Sequence, residues 1–209
     1  DVADAVADLL KGLPSVTVIP FEPATPCDVI VFSGRADPPA RGGGTTADGA
    51  EVVRAAAREA GLPESVLAAV RAGTPLLALP SNDGHAQAVA RQLADAGAFR
   101  FDGLVGPSRA SWMGAWYFVR EHPLYDGLPV NQALGLHYQV KSSGGNGWRL
   151  EGRDVEIVAG YGRDHDRNLG AGTVVAKLGK TPIVLHQILG MHPALLRRFL
   201  GNAVRHLTA

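Results

Sequence analysis

The chain lacks a second cysteine, an excess of charge and any long apolar run, and each shortage removes a class of function. Cys27 is the one cysteine among 209 residues, which excludes an internal disulfide framework and a cysteine-based zinc cluster. Lys+Arg 20 and Asp+Glu 20 cancel to a formal net charge of zero. No Lys/Arg run exceeds two residues, so the electrostatic footprint of a nucleic-acid binder is missing. No window approaches the roughly 20 apolar residues that cross a bilayer as a helix. Neither nucleic acid nor membrane is therefore expected as a partner. The glycine-rich run Gly34 to Gly44 lacks the Gly-Lys-Ser/Thr ending of a phosphate loop, and it reads as a surface loop; no cofactor is expected.

What is present is apolar residue in quantity: 46% of the chain is hydrophobic, enough for one sizeable core. The sequence reads as a single domain over residues 1–209. Cys27 opens an apolar strand and reads as a small buried thiol. Val2, Val6, Leu9 and Leu10 repeat at helical spacing before Gly12 and Pro14 stop the run. A doubly wound domain ordinarily opens on a strand, so this one is expected to be part of a longer chain from which the first strand is missing.

Strands are expected at Val16-Thr17-Val18-Ile19, Asp28 to Phe32 and Pro75 to Leu79. The last two are continuously apolar, as in a parallel sheet covered on both faces. Helical patterns cover Ala50 to Ala60, Glu64 to Ala72 and Gly84 to Ala96. Ser111 to Gly127 reads as an aromatic-rich loop, Ala133 to Val140 as a strand and Ser142 to Gly147 as a turn. Strands at Val155 to Tyr161, Gly172 to Leu178 and Pro182 to Gln187 have short links, which points to antiparallel pairing. A helix from Pro193 to Leu207 turns Leu195, Leu196, Phe199 and Val204 inward. The order predicts an α/β fold: a flavodoxin- or Rossmann-like three-layer sandwich with a mostly parallel sheet and an antiparallel edge extension.

The most informative segment is Pro75 to His85, a buried strand turning sharply into a helix. Ser81, Asn82 and Asp83 sit at the tip of that turn. A hydrolase elbow would frame Ser81 with glycines, but Leu79 and Asp83 stand in those places. Ser81 or Asn82 fits instead as the cap of the following helix. The alternative is a binding pocket, because free N–H groups at a helix start hold anionic or hydroxyl-rich ligands.

Elsewhere, Arg163-Asp164-His165-Asp166-Arg167 is dense in polar groups but reads as a hairpin tip rather than a metal site. Trp112, Trp116, Tyr117 and Phe118 have three readings: stacking on sugar rings, packing against another domain, or covering this one. His137, His192 and His206 read as structural.

The whole resembles the class I glutamine amidotransferase-like superfamily. Asn82-Asp83-Gly84-His85 aligns with that family's Cys-x-Gly-His elbow. His122-Pro123-Leu124-Tyr125-Asp126-Gly127-Leu128-Pro129 looks like a His-Pro…Gly-Leu signature of trehalose-utilisation-like members. Ile183 to Ile188 sits where amidotransferases carry a strand ending in His-Pro-Glu. The texture of Trp116 to Gln139, Gly170 to Lys180 and the ending Phe199-Leu200-Gly201-Asn202 are similar to the amidotransferase-like domain appended to bacterial glycoside hydrolases of the β-galactosidase type.

The resemblance implies a degenerate site. Asn82 stands at the nucleophile position, His186 matches the catalytic histidine, and Gln187 and Ile188 replace the Pro-Glu that supplies the orienting carboxylate. It implies no catalytic residue and a structural or interface role inside a carbohydrate-active enzyme, with other domains of that parent or a second copy as partner. One alternative is a sugar-binding module using Ser81, Asn82, Asp83, His85 and His186, with Trp112 and Trp116 as stacking platforms. A hydrolase dependent on Ser81 is the other.

Overall fold

The computed structural model describes residues 2–33, 61–105, 115–130, 147–163, 169–187 and 191–209. In chain order the elements are α1 (Val2–Lys11), β1 (Ile30–Ser33), α2 (Glu64–Arg71), β2 (Leu76–Leu79), α3 (Asp83–Asp95), β3 (Arg100–Val105), β4 (Ala115–Val119), a 3-10 turn (Pro123–Tyr125), β5 (Gly147–Glu151), β6 (Glu156–Arg163), β7 (Leu169–Leu178), β8 (Thr181–His186) and α4 (Pro193–Thr208).

Among the described residues the strands form one eight-stranded sheet in the order β1-β2-β8-β7-β5-β3, with β6 also on β7 and β4 on β6. β1–β2 and β2–β8 run parallel, with Leu76 opposite both Ile30 and Ile183. The β7–β8, β6–β7, β5–β7, β4–β6 and β3–β5 ladders run antiparallel. The antiparallel section is thus more extensive than an extension of one edge. Its short links explain it: β7 and β8 are joined by Gly179-Lys180 alone, between paired Leu178 and Thr181, and Gly179 supplies the positive φ of 63° that such a turn needs.

The strand Leu76-Leu77-Ala78-Leu79 is buried at every position because helices cover both faces of the sheet. Side chains alternate across a strand, so Leu76 and Ala78 join Ile183 and Leu185 against Val66, Leu67 and Val70 of α2 and Ala86, Val89 and Leu93 of α3. Leu77, Leu79 and Val184 face the other way, against Val6 and Leu10 of α1 and Leu196, Phe199 and Leu200 of α4. This is the expected three-layer α/β arrangement.

Helices α2 and α3 stop on glycine. Gly73 (φ 115°) and Gly97 (φ 94°) take left-handed backbone. There, Thr74 N–H donates to Ala69 O and Ala98 N–H to Leu93 O, at 3.0 and 2.9 Å, which satisfies carbonyls the helix leaves open.

Three expectations need correction. Val16 to Ile19 is not a strand: it is irregular backbone with no ladder among the described residues, and β-branched residues favour a strand only where a neighbour pairs with them. Ser111 to Gly127 is not simply a loop, since β4 and the 3-10 turn lie within it. Gly147, expected to end a turn, is instead the first residue of β5 (Gly147–Glu151); residues 142–146 of that expected turn lie outside the described residues. The expected helix at 50–60 and strand at 133–140 lie outside the described residues.

β5 carries Trp148, fully buried under α3, whose indole N–H donates to Ala86 O at 2.9 Å. Trp148→Phe leaves a void and removes that donor, so urea unfolding is expected to show a loss of about 1–3 kcal/mol at unchanged m-value.

Candidate functional site

β2 delivers the chain to the elbow and α3 takes it away. Asn82 is the cap: it holds extended backbone (φ −156°, ψ 173°), and its side-chain oxygen accepts from His85 N–H at 2.9 Å. Its carbonyl accepts from Ala86 N–H at 2.9 Å. Ser81 Oγ lies 3.1 Å from His85 Nδ1 and shares a hydrogen bond with it. Asp83 occupies the first helical turn, where a carboxylate favours the positive end of the helix dipole. Ser81, Asn82, Asp83 and His85 are therefore brought together, with the cap as their organising interaction and His85 buried beneath it.

His186 ends β8, and alternation fixes where it goes. It shares its face with Val184, toward α4, whereas the helix following the elbow covers the opposite face. The ring is fully buried and stacks on Phe199, centroids 3.9 Å apart at 23°. Its Nδ1 is 2.9 Å from Thr173 Oγ1, which is 2.7 Å from Tyr125 OH. The hydroxyl of Thr173 bridges a tyrosine and a histidine that are far apart in sequence. Gln187, where the resemblance would place Pro, instead adds to the sheet: its N–H donates to Gly172 O and its side-chain amide to Ala171 O, both at 3.0 Å.

The His122-to-Pro129 segment lies over α4. Asn202 Nδ2 donates to Leu124 O and Asp126 O at 3.0 and 2.9 Å, and Arg198 Nε donates to Asp126 O at 3.1 Å. Two sequence features that carry the resemblance, the His-Pro-Leu-x-Asp-Gly-Leu-Pro core and Gly201-Asn202, are thus mechanically one: an asparagine pinning a strap. His122 caps the 3-10 turn through Nδ1, accepting from Leu124 N–H at 3.1 Å. Beside it lies a cavity of about 700 Å³ lined by Glu121, His122, Asp126, Arg205 and His206 among others. Sequence reasoning did not assemble this group, because no local pattern links the turn to the end of α4.

Burial pushes the His122 imidazole below its usual value near 6.5; Glu156 at 3.8 Å opposes that shift and His206 adds to it.

Trp112 lies outside the described residues, as do Asp164 to Asp166, and of Trp116 only the backbone in β4 is described. Among the described residues no group of three or more His, Cys, Asp or Glu side chains is arranged to hold a metal ion, and no helix is long and apolar enough to cross a membrane.

Two outcomes follow. Asn82→Ala is expected to cost about 1 kcal/mol and Asn82→Asp much less, because the aspartate keeps the acceptor; thermal melts of both variants read this. For His122, the folded state disfavours the proton, so the unfolded chain takes it up first as pH falls below about 6.5. Stability is expected to fall progressively from there down to the depressed folded-state pKa. His122→Asn retains an acceptor at the cap, and denaturant midpoints across pH should show that component of the slope removed.

No protein-family model matches the chain, and no curated protein matches it.

Proposed function

We propose that this chain is an amidotransferase-like domain whose catalytic positions have become structural, serving as an accessory domain of a carbohydrate-active enzyme. The observation that carries the non-catalytic part is the setting of His186. A general base must reach the proton it removes, and this ring is fully buried, stacked on Phe199 and bonded to Thr173. The elbow supports the same reading, since Asn82 spends its side chain on the helix cap and Ser81 bonds to His85 rather than to His186. The parent enzyme class rests on the resemblance of residues 112 to 202 to hydrolase-appended domains.

The structural role of the buried triple Tyr125–Thr173–His186 is open to a separate test. Thr173→Val keeps the shape and removes the bridging hydroxyl, so a loss of about 1–3 kcal/mol is expected in chemical denaturation.

Activity is tested with the purified protein against glutamine, aryl esters and aryl glycosides. No turnover is expected from the native chain. Turnover that disappears in Ser81→Ala or His186→Asn, with the variant still folded, would overturn the proposal in favour of hydrolysis.

A further inference from the structure

The cleft of about 700 Å³ between the strap and the end of α4 is lined by none of the elbow residues. Its two walls are fixed to each other by Asn202, which is 2% exposed. Nδ2 of that residue donates to the strap carbonyls of Leu124 and Asp126, and its Oδ1 accepts from Arg205 Nη2 at 2.5 Å. A buried asparagine thus holds both the strap and a guanidinium that lines the cleft. His122, its side chain 9% exposed, belongs to the strap wall, and its Nδ1 is committed to Leu124 N–H. The neutral ring therefore carries its proton on Nε2 and is a donor there. Glu156 Oε2 lies 3.8 Å from that nitrogen, beyond the length of a direct hydrogen bond. The His206 ring crosses the His122 ring at 66°, with centroids 5.2 Å apart. Glu121 and Asp126 add carboxylates to the lining, while Pro123, Leu128 and Val130 add apolar surface.

We propose that this cleft binds a neutral, hydroxyl-rich small molecule of about one ring, a monosaccharide or a cyclic polyol. Its charges select that class. The lining sets one guanidinium against two carboxylates, with a third carboxylate, Glu156, beside His122. An anion entering the cleft meets Glu121 and Asp126, and a simple cation meets Arg205, so either brings like charges together. A hydroxyl both donates and accepts. Neighbouring hydroxyls on one ring can therefore accept from Arg205 and from His122 Nε2–H while donating to Glu121 or Asp126. Such bonds have an ionised partner on the protein side, which makes them the stronger kind. A small zwitterion offers one donor end and one acceptor end, fewer groups than this lining presents. The C–H faces of a sugar or cyclitol also suit Pro123, Leu128 and Val130, because apolar walls with a few placed polar groups are the common make-up of a small-ligand site. The volume, about 700 Å³, falls within the roughly 300–1,000 Å³ of such clefts. Because Asn202 already fixes the walls, little ordering is left for the ligand to impose. The site depends neither on the loss of catalysis at the elbow nor on the class of a parent enzyme.

The test follows the histidine ring signals by NMR while the protein is titrated with glucose, galactose and myo-inositol, and separately with glycine and inorganic phosphate. The His122 and His206 signals are expected to shift saturably with at least one of the three neutral ligands, with a Kd of about millimolar, while His192 stays unmoved. Arg205→Gln and Glu121→Gln are each expected to weaken that binding by about tenfold or more. Glu121 is exposed and makes no contact with Asn202 in the strap lock, so its variant keeps the test readable if Arg205→Gln loosens the strap. His122→Asn keeps an acceptor for Leu124 N–H but loses the ring donor, and it is expected to weaken binding in the folded protein. No saturable shift at His122 or His206 up to about 100 mM of each neutral ligand, far above a millimolar Kd, would overturn the proposal. So would sugar binding that all three variants leave unchanged, which places the ligand elsewhere. Saturation of the same two signals by glycine or phosphate alone overturns the ligand class, assigning the cleft to a zwitterion or an anion.

Discussion

Burial of β2 and β8 on both faces is the constraint from which the remaining structure follows. Leu76 to Leu79 and Ile183 to Leu185 are each fully buried, so every second side chain must find a helix on one side and the others a helix on the opposite side. α2 and α3 meet the first demand; α1 and α4 meet the second. Burying a leucine-sized side chain contributes about 1.5–3 kcal/mol, and these two strands concentrate such side chains. The strands are parallel and in register from Leu76↔Ile183 to Ala78↔Leu185, which delivers the elbow and His186 to the same end of the sheet. The same alternation sends the His186 ring to the α4 face and the elbow's helix to the other. Side-chain parity and packing thus commit the His186 ring to the core.

What occupies that core is polar but paired. Tyr125, Thr173 and His186 come from the strap, from β7 and from β8, and they meet beside Phe199. A buried polar group costs stability unless it is hydrogen-bonded, so the string fixes how the strap and the antiparallel section sit on the parallel one. Asn202 does the same for the strap's backbone from α4. The residues that a resemblance would assign to chemistry or to a motif act here as joints between layers.

Much of the fold was legible because period and punctuation agreed. The apolar run at Pro75 to Leu79 announced a strand covered on both sides, and the cap candidates Ser81 and Asn82 marked the start of α3. The helical spacing of Leu195, Leu196, Phe199 and Val204 did the same for α4, and the structure adds Leu200 and Ala203 to its buried face. β3 escaped because Arg100-Phe101-Asp102-Gly103 carries charge and a glycine at φ 99°. It is held as a strand by Phe101 opposite Leu150 rather than by its own propensity. β5 escaped for a related reason: Trp148 is committed by a hydrogen bond to a carbonyl 62 residues away in sequence. Val16 to Ile19 erred in the other direction, with strand composition and no described partner. At the site, the cap on Asn82 was local and could be read. The contact of Thr173 with Tyr125 spans 48 residues and leaves no mark in a single sequence.

The central claim is that His186 is a structural member of the core and not a base awaiting a substrate. The most direct measurement is the rate of histidine modification by diethylpyrocarbonate, residue by residue, in the native protein. His186 is expected to react only on global unfolding, at a rate that tracks stability, while exposed His192 reacts freely. Modification of His186 in the folded protein at the rate of His192 would contradict it.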